Sequence, residues 1–291
     1  MPAERANLPT QLDRDLAGLD ALEQPAGPRR NPVRALWTAM WPKLTAAGIG
    51  VLLWQLVVWS HWKPEYILPG PNTVFPELKD LAQDGTLWDV VATTMRRAAI
   101  GFGIALLVGT AVGSLVGSVR FLRVAVGGFI TGIQNMPSIA WFPLAIVLFR
   151  ISEGAITFVV VIGAAPSIAN GVISGFDTIP PILRRVGRVL GARGLNTYRF
   201  VSLPAALPAF VGGIKQGWAF AWRSLLAGEI IVIIANKPSI GQSLTQSREL
   251  ADYPRMMALM VVILVLGILV DAVIFGTVER RIRRRWGLAE T

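Results

Sequence analysis

The chain alternates between long charge-free apolar runs and short polar segments. A helix needs ~20 mostly apolar residues to cross the hydrocarbon core of a membrane. Six stretches approach or exceed that length: 44–60, 98–119, 124–149, 154–176, about 207–236 and about 256–278. The first runs out through Trp54, Trp59 and Trp62, the aromatic belt expected at a membrane interface. The second places Gly109, Gly113 and Gly117 four residues apart, a spacing of small residues that lets helices approach closely. The third is interrupted by Pro137 and Pro143, the fifth contains Lys215, Arg223 and Glu229, and the sixth contains Asp271. This pattern predicts an all-α integral membrane protein with about six transmembrane helices.

The flanks read differently. Leu12, Leu16, Leu19 and Leu22 follow helical spacing among Asp13, Asp15, Asp20 and Glu23, a short acidic amphipathic helix in a tail over 1–40. It either docks on a cytoplasmic partner or is a partly ordered tail, since short isolated helices are marginal. Residues 24–32 read as a linker. The transmembrane domain spans 41–286 and a short tail covers 287–291. No segment reads as a cleaved signal peptide.

Of the 291 residues 53% are hydrophobic and 16% charged, against roughly 25% charged in soluble domains. The net charge of +10 would by itself point to nucleic acid, but position decides otherwise. With a cytoplasmic N-terminus, the inside segments hold 18 of the 28 Lys and Arg residues and the outside segments 8. That bias places both termini of a multi-pass membrane protein in the cytoplasm. Arg280, Arg281, Arg283, Arg284 and Arg285 close the last helix as an anchor on anionic lipid. Cysteine is absent and His61 is the sole histidine, beside the tryptophan belt. Thiolate metal sites, cysteine catalysis, multi-histidine zinc sites and Ser-His-Asp chemistry are therefore poor fits, and no metal site is expected.

The loop over 177–208 is the most informative segment. Ile182, Leu183, Val186, Val189 and Leu190 form a helical apolar stripe with Arg184, Arg185 and Arg188 on other faces. Gly191 falls where a helix stops or turns, Thr197 to Ser202 resumes a short helix, and Leu203-Pro204 ends it. Two short helices at an angle make a knob suited to a groove on a cytoplasmic partner.

This loop resembles the coupling loop of bacterial ABC importer permeases, which reads Glu-Ala-Ala, three residues, Gly, nine residues, Ile, one residue, Leu-Pro. Gly191 takes the glycine position and is followed by Ala192, Val201 takes the isoleucine position, and Leu203-Pro204 closes the motif. Arg185, Val186 and Gly187 stand at Glu-Ala-Ala, so the acidic residue is missing. The resemblance runs over 44–286. Residues 67–74 (ILPGPNTV), 134–144 (QNMPSIAWFPL) and 215–225 (KQGWAFAWRSL) with Glu229 are similar to the nitrate, sulfonate, taurine and bicarbonate branch, aliphatic sulfonate and taurine permeases above all. The resemblance implies the ABC type I importer permease fold and a homodimeric pore. It also implies two cytoplasmic ABC ATPase subunits and an extracytoplasmic substrate-binding protein. The chain holds no Walker A glycine loop, so ATP and Mg would be held by the separate ATPase, with no cofactor in this chain.

Charges inside a membrane cost ~2.5–3.5 kcal/mol each, so each calls for a role. Lys215 and Asp271 lie at similar depth and are expected to pair as a structural element. Arg223 has two readings, a counter-charge for an anion in transit or a packing partner of Glu229. The break at Pro137 frees backbone groups beside Gln134, Asn135 and Ser138. These either line a cavity or surround a plain proline kink. Met136, Trp141 and Phe142 would gate the path or pack in the core. A secondary transporter driven by an ion gradient is the alternative, but no internal repeat supports it, and an enzyme would need a catalytic cluster that is absent. The substrate expected from the resemblance is a small oxyanion.

Overall fold

The computed structural model describes residues 32–285. The expected amphipathic helix over 12–22, the linker before residue 32 and the tail 287–291 lie outside the described residues. Those described form two compact units, one ending at Trp62 and one beginning at Lys63.

The first unit is one helix, α1 (Pro32–Trp59), with Pro42 inside it. Its apolar span is Met40–Trp59. Ile49, Leu52, Leu53 and Leu56 are exposed along it, and an apolar helix of this length suits a membrane span.

The second unit contains α2 (Pro71–Gln83), α3 (Thr86–Ser118), α4 (Arg120–Asn135), a 3₁₀ turn (Ser138–Trp141), α5 (Phe142–Phe149) and α6 (Glu153–Asp177). It continues with α7 (Pro181–Val189), α8 (Leu203–Ile231), α9 (Ile240–Glu249), α10 (Tyr253–Val270) and α11 (Gly276–Arg285). All regular structure among the described residues is helical. Four helical spans over both units are long and apolar enough to cross a membrane, or five if the bent α4–α5 pair is one span. Helix α8 has 29 residues, ~44 Å at 1.5 Å per residue, but its three charges lower its apolarity.

α6 is the spine. Val159, Val160, Ala164 and Ile168 have no more than trace exposure. Glycines from both neighbours bring the helices that close. On α3, a Cβ at Gly109 would lie 2.6 Å from the Ala165 carbonyl oxygen, at Gly113 2.7 Å from that of Ala169, and at Gly117 2.6 Å from the Phe176 ring. The spacing read from the sequence is thus a helix–helix seam. On α8, a Cβ at Gly213 would lie 2.5 Å from the Gly171 Cα, and one at Gly217 2.6 Å from the Ile168 side chain. The pairings make α3 parallel and α8 antiparallel to α6. A parallel α3 and α6 require the chain between them to return to its starting side, and α4, the turn and α5 do so.

That return is not a straight span. The axis bends by 101° between Asn135 and Ser138. The residue before a proline is pushed out of the helical region, and Met136 is extended with ψ 131°. Pro143 causes no second break, because it lies in the first turn of α5, where a missing N–H costs nothing. Two other expectations are corrected. Leu203-Pro204 opens α8 instead of closing a short helix, with Pro204 in its first turn. Leu195–Thr197 and a π-helical turn (Tyr198–Ser202) lead directly into it. The second stretch also starts earlier than expected: α3 begins at Thr86 and carries Arg97, buried, within it.

Candidate functional site

Two regions far apart in sequence meet in one cavity of about 240 Å³, lined by Gln134, Asn135, Met136, Pro137, Ser138, Ile139, Gly163, Phe220 and Arg223. The break in the third stretch and the arginine of the fifth therefore face the same space. Gln134 is held in place by α6, with Asn170 Nδ2 donating to its Oε1 at 2.5 Å. Arg223 Nε donates to the Ala219 carbonyl at 3.1 Å, and its guanidinium carbon lies 4.7 Å from the Phe220 ring centroid. Among the described residues no carboxylate lies within ion-pair distance of it. The cavity wall thus carries an arginine held by a backbone carbonyl and an aromatic face, opposite a polar helix break.

Trp141 and Glu229 are not part of this wall. Trp141 packs against the apolar core around α6. Glu229 is fully buried and is clasped elsewhere. Thr94 Oγ1 donates to Glu229 Oε2 at 2.9 Å, Arg97 Nη1 to its Oε1 at 3.0 Å, and the Gly241 backbone N–H to its Oε2 at 3.2 Å. Arg97 also grips Glu153 with two hydrogen bonds of 2.9 Å, and Lys237 lies 3.3 Å from Glu153. The Ile240 N–H donates to Thr94 Oγ1 at 3.1 Å. The partner of Glu229 is therefore Arg97 instead of Arg223. A buried carboxylate persists only when donors surround it, and here it joins α3, α8 and the first turn of α9. The sequence reading missed Thr94, Arg97 and Glu153 because it sought charge-free runs, which begin just after Arg97.

Lys215 Nζ and Asp271 Oδ2 are 3.4 Å apart, both side chains nearly half exposed. Asp271 opens a π-helical turn (Asp271–Phe275). At the α7 end of the bundle, Arg123 pairs with Asp177 and donates to the Gly117 carbonyl at 3.1 Å. The Glu229 clasp lies at the opposite end of α6, where Glu153 begins that helix.

Beyond Asp177 the chain forms an angled knob. α7 ends at Val189, and Gly191 and Gly194 follow at φ 81° and 55°, conformations that glycine adopts without strain. A Cβ at Gly187 would lie 2.8 Å from Val201 Cγ2, so the absence of a side chain at Gly187 lets α7 cross the returning chain closely. Arg185, Val186, Leu203 and Gly191 are exposed, Ala192 and Pro204 partly so. Val186, Gly187, Val201 and Pro204 line a second, apolar cavity of about 250 Å³ between α7 and the start of α8.

A glycine-seamed bundle of apolar helices, broken at a polar cavity, defines a helical membrane protein with several spans. The chain belongs to the family described as binding-protein-dependent transport system inner membrane component, whose profile matches residues 103–284. It is 30% identical over 258 residues to the putative aliphatic sulfonates transport permease protein of Escherichia coli, covering 89% of this chain and 96% of that one. It is also 30% identical over 224 residues to the bicarbonate transport system permease protein of Synechococcus elongatus, covering 70% and 79%. Its fold is similar to a chain of the inward-facing MetNI methionine ABC transporter, with a TM-score of 0.58, 22% identity, and 67% of this chain and 95% of that one covered. The protein is an ABC importer permease subunit of all-α membrane architecture.

Proposed function

We propose that this subunit carries a small oxyanion through the cavity formed by the Asn135–Ser138 break and Arg223. The observation that carries the reading is the meeting of those two regions in one space of about 240 Å³. That is several times the ~30 Å³ share of a water molecule, room for an ion of a few heavy atoms. Arg223 supplies positive charge, and Gln134, Asn135 and Ser138 supply donors that take the place of hydration. The sulfonate and bicarbonate relatives support an anionic cargo.

Two copies form the pore, two cytoplasmic ATPase subunits bind ATP and Mg, and an extracytoplasmic binding protein delivers the cargo. The subunit lies in the inner membrane with both termini cytoplasmic, the orientation that the basic residues favour. Arg185, Val186, Gly187, Gly191, Ala192, Val201, Leu203 and Pro204 form the ATPase-coupling loop. Closure of the ATPases moves this knob and switches the bundle between inward- and outward-facing states by rigid-body motion at its interfaces. Lys215 and Asp271 fix α8 against the α10–α11 junction.

The test is uptake by cells expressing Asn135→Ala or Arg223→Ala variants at wild-type level and assembly. Uptake falls in both; unchanged uptake in both removes the pathway assignment.

A further inference from the structure

Among the described residues, two side-chain hydroxyls are buried with no hydrogen-bond partner, those of Ser167 and Ser224, each residue 1% exposed. Buried polar groups are nearly always paired, so each orphan calls for an account. Both stand beside the cavity of the polar break. Ser224 follows Arg223 on α8 and is one turn from Phe220, two residues that line the cavity. Its hydroxyl lies against Gly163 of α6, a third lining residue. A Cβ at position 163 would meet Ser224 Oγ at 2.4 Å and the Cβ of Ser138, in the turn after the break, at 3.7 Å. Only the lack of a side chain at Gly163 therefore leaves that hydroxyl room at the cavity wall. Ser167 stands one turn further along the same strip of α6, between Gly163 and Asn170, the residue that donates to Gln134.

We infer that Ser224 is a further contact for the transported anion: an oxygen of the cargo resting against Gly163 accepts a hydrogen bond from Ser224 Oγ, while Arg223, the preceding residue, supplies the countercharge. The inference rests on this cavity being the anion path. It accounts for a buried hydroxyl that has no partner within the bundle. A hydroxyl bonded to a protein carbonyl must give up that bond before it meets a cargo, whereas an unpartnered one gains a bond that it lacks. An O–H donor to an anionic oxygen makes a short, charge-assisted bond. A neutral donor also adds recognition without a second fixed cation, which would hold the anion too tightly for release.

The experiment uses the assembled transporter, with its ATPase and binding protein, in proteoliposomes. ATP-driven accumulation of labelled ethanesulfonate, nitrate and bicarbonate is measured for the wild type, Ser224→Ala, Gly163→Ala and Arg223→Ala, together with ATPase binding and thermal unfolding. Loss of an unpartnered hydroxyl costs the fold little, so Ser224→Ala should melt within about 2 °C of the wild type and keep its ATPase. It should nevertheless accumulate the anion about tenfold more slowly, the worth of one hydrogen bond to a charged group. Gly163→Ala reaches the same hydroxyl from the other side. Ser224 Cβ lies 3.4 Å from the added methyl carbon, so only the hydroxyl clashes, and turning it off the cavity should slow accumulation to a similar extent. Wild-type accumulation by either variant overturns the inference while leaving the pathway reading intact. A melting temperature lowered by more than about 5 °C in Ser224→Ala also overturns it, because the hydroxyl then holds the bundle together. Failure of the wild type to accumulate any of the three anions, or wild-type accumulation by Arg223→Ala, instead sinks the pathway reading itself.

Discussion

Replacing Glu229 with alanine should destabilise the bundle far more than removing any exposed charge. The carboxylate is fully buried and receives hydrogen bonds from Thr94, Arg97 and the Gly241 N–H. Breaking a buried ion pair by deleting one partner costs ~3–5 kcal/mol, because the remaining charge and donors stay desolvated. Arg97 keeps its two bonds to Glu153, which places the cost at the lower end of that range, about 3 kcal/mol. At roughly 2–4 °C per kcal/mol for a chain of this class, the thermal midpoint should fall by about 6–12 °C. Glu229→Gln keeps the shape and one acceptor and should lose about half as much. The assay is thermal unfolding of the purified protein in nanodiscs, followed by tryptophan fluorescence. Asp271→Ala serves as the reference, because its pair with Lys215 is half exposed and should cost at most ~1 kcal/mol. If Glu229→Ala melts within about 2 °C of the wild type, or no lower than Asp271→Ala, the clasp does not hold α9 to the bundle.

Four further outcomes are expected. Gly171→Ala sets a Cβ 2.5 Å from the Gly213 Cα and should cost ~1–3 kcal/mol, whereas Gly212→Ala, with nothing within 4 Å, should be neutral or mildly stabilising in the same unfolding assay. A double-mutant cycle on Lys215 and Asp271 should return a coupling below ~1 kcal/mol, and zero coupling would show that the pair is not structural. Burial, with Asp252 nearby, raises the Glu77 carboxyl above its ordinary range. Its proton is thus held more tightly in the folded state, and stability falls as pH rises through the window above the ordinary carboxylate value. Glu77→Gln should therefore raise the melting temperature at neutral pH, with the gain vanishing in acid. Gly187→Val should disturb the crossing with Val201 and reduce ATP-driven uptake while leaving the protein inserted in the membrane, as fractionation and uptake assays would register.

What was legible in the sequence was whatever short-range chemistry determines alone. Glycines four apart on a charge-free helix marked the seam with α6, since only small residues admit a backbone that close. Pro137 marked the break, because it removes a donor and displaces the residue before it. Its angle of 101° was not legible, being set by packing against α6. Leu203-Pro204 was misread because proline suits both the end of one helix and the first turn of the next. Arg97 is not legible as part of a span, because freedom from charge marks a span and a buried ion pair inside one breaks that pattern. The available signal was Thr94 and Arg97, three apart on one helical face, together with a Glu229 still lacking a close partner.

We propose that Arg223, at the polar break, carries the anion across. It is tested most directly with the assembled transporter in proteoliposomes, measuring ATP-driven accumulation of a labelled small oxyanion, sulfonate or bicarbonate, by wild type and Arg223→Ala. Accumulation should be lost while the variant still binds its ATPase and melts close to the wild type, because Arg223 is exposed and holds no ion pair with the described residues. Wild-type accumulation by Arg223→Ala would contradict it.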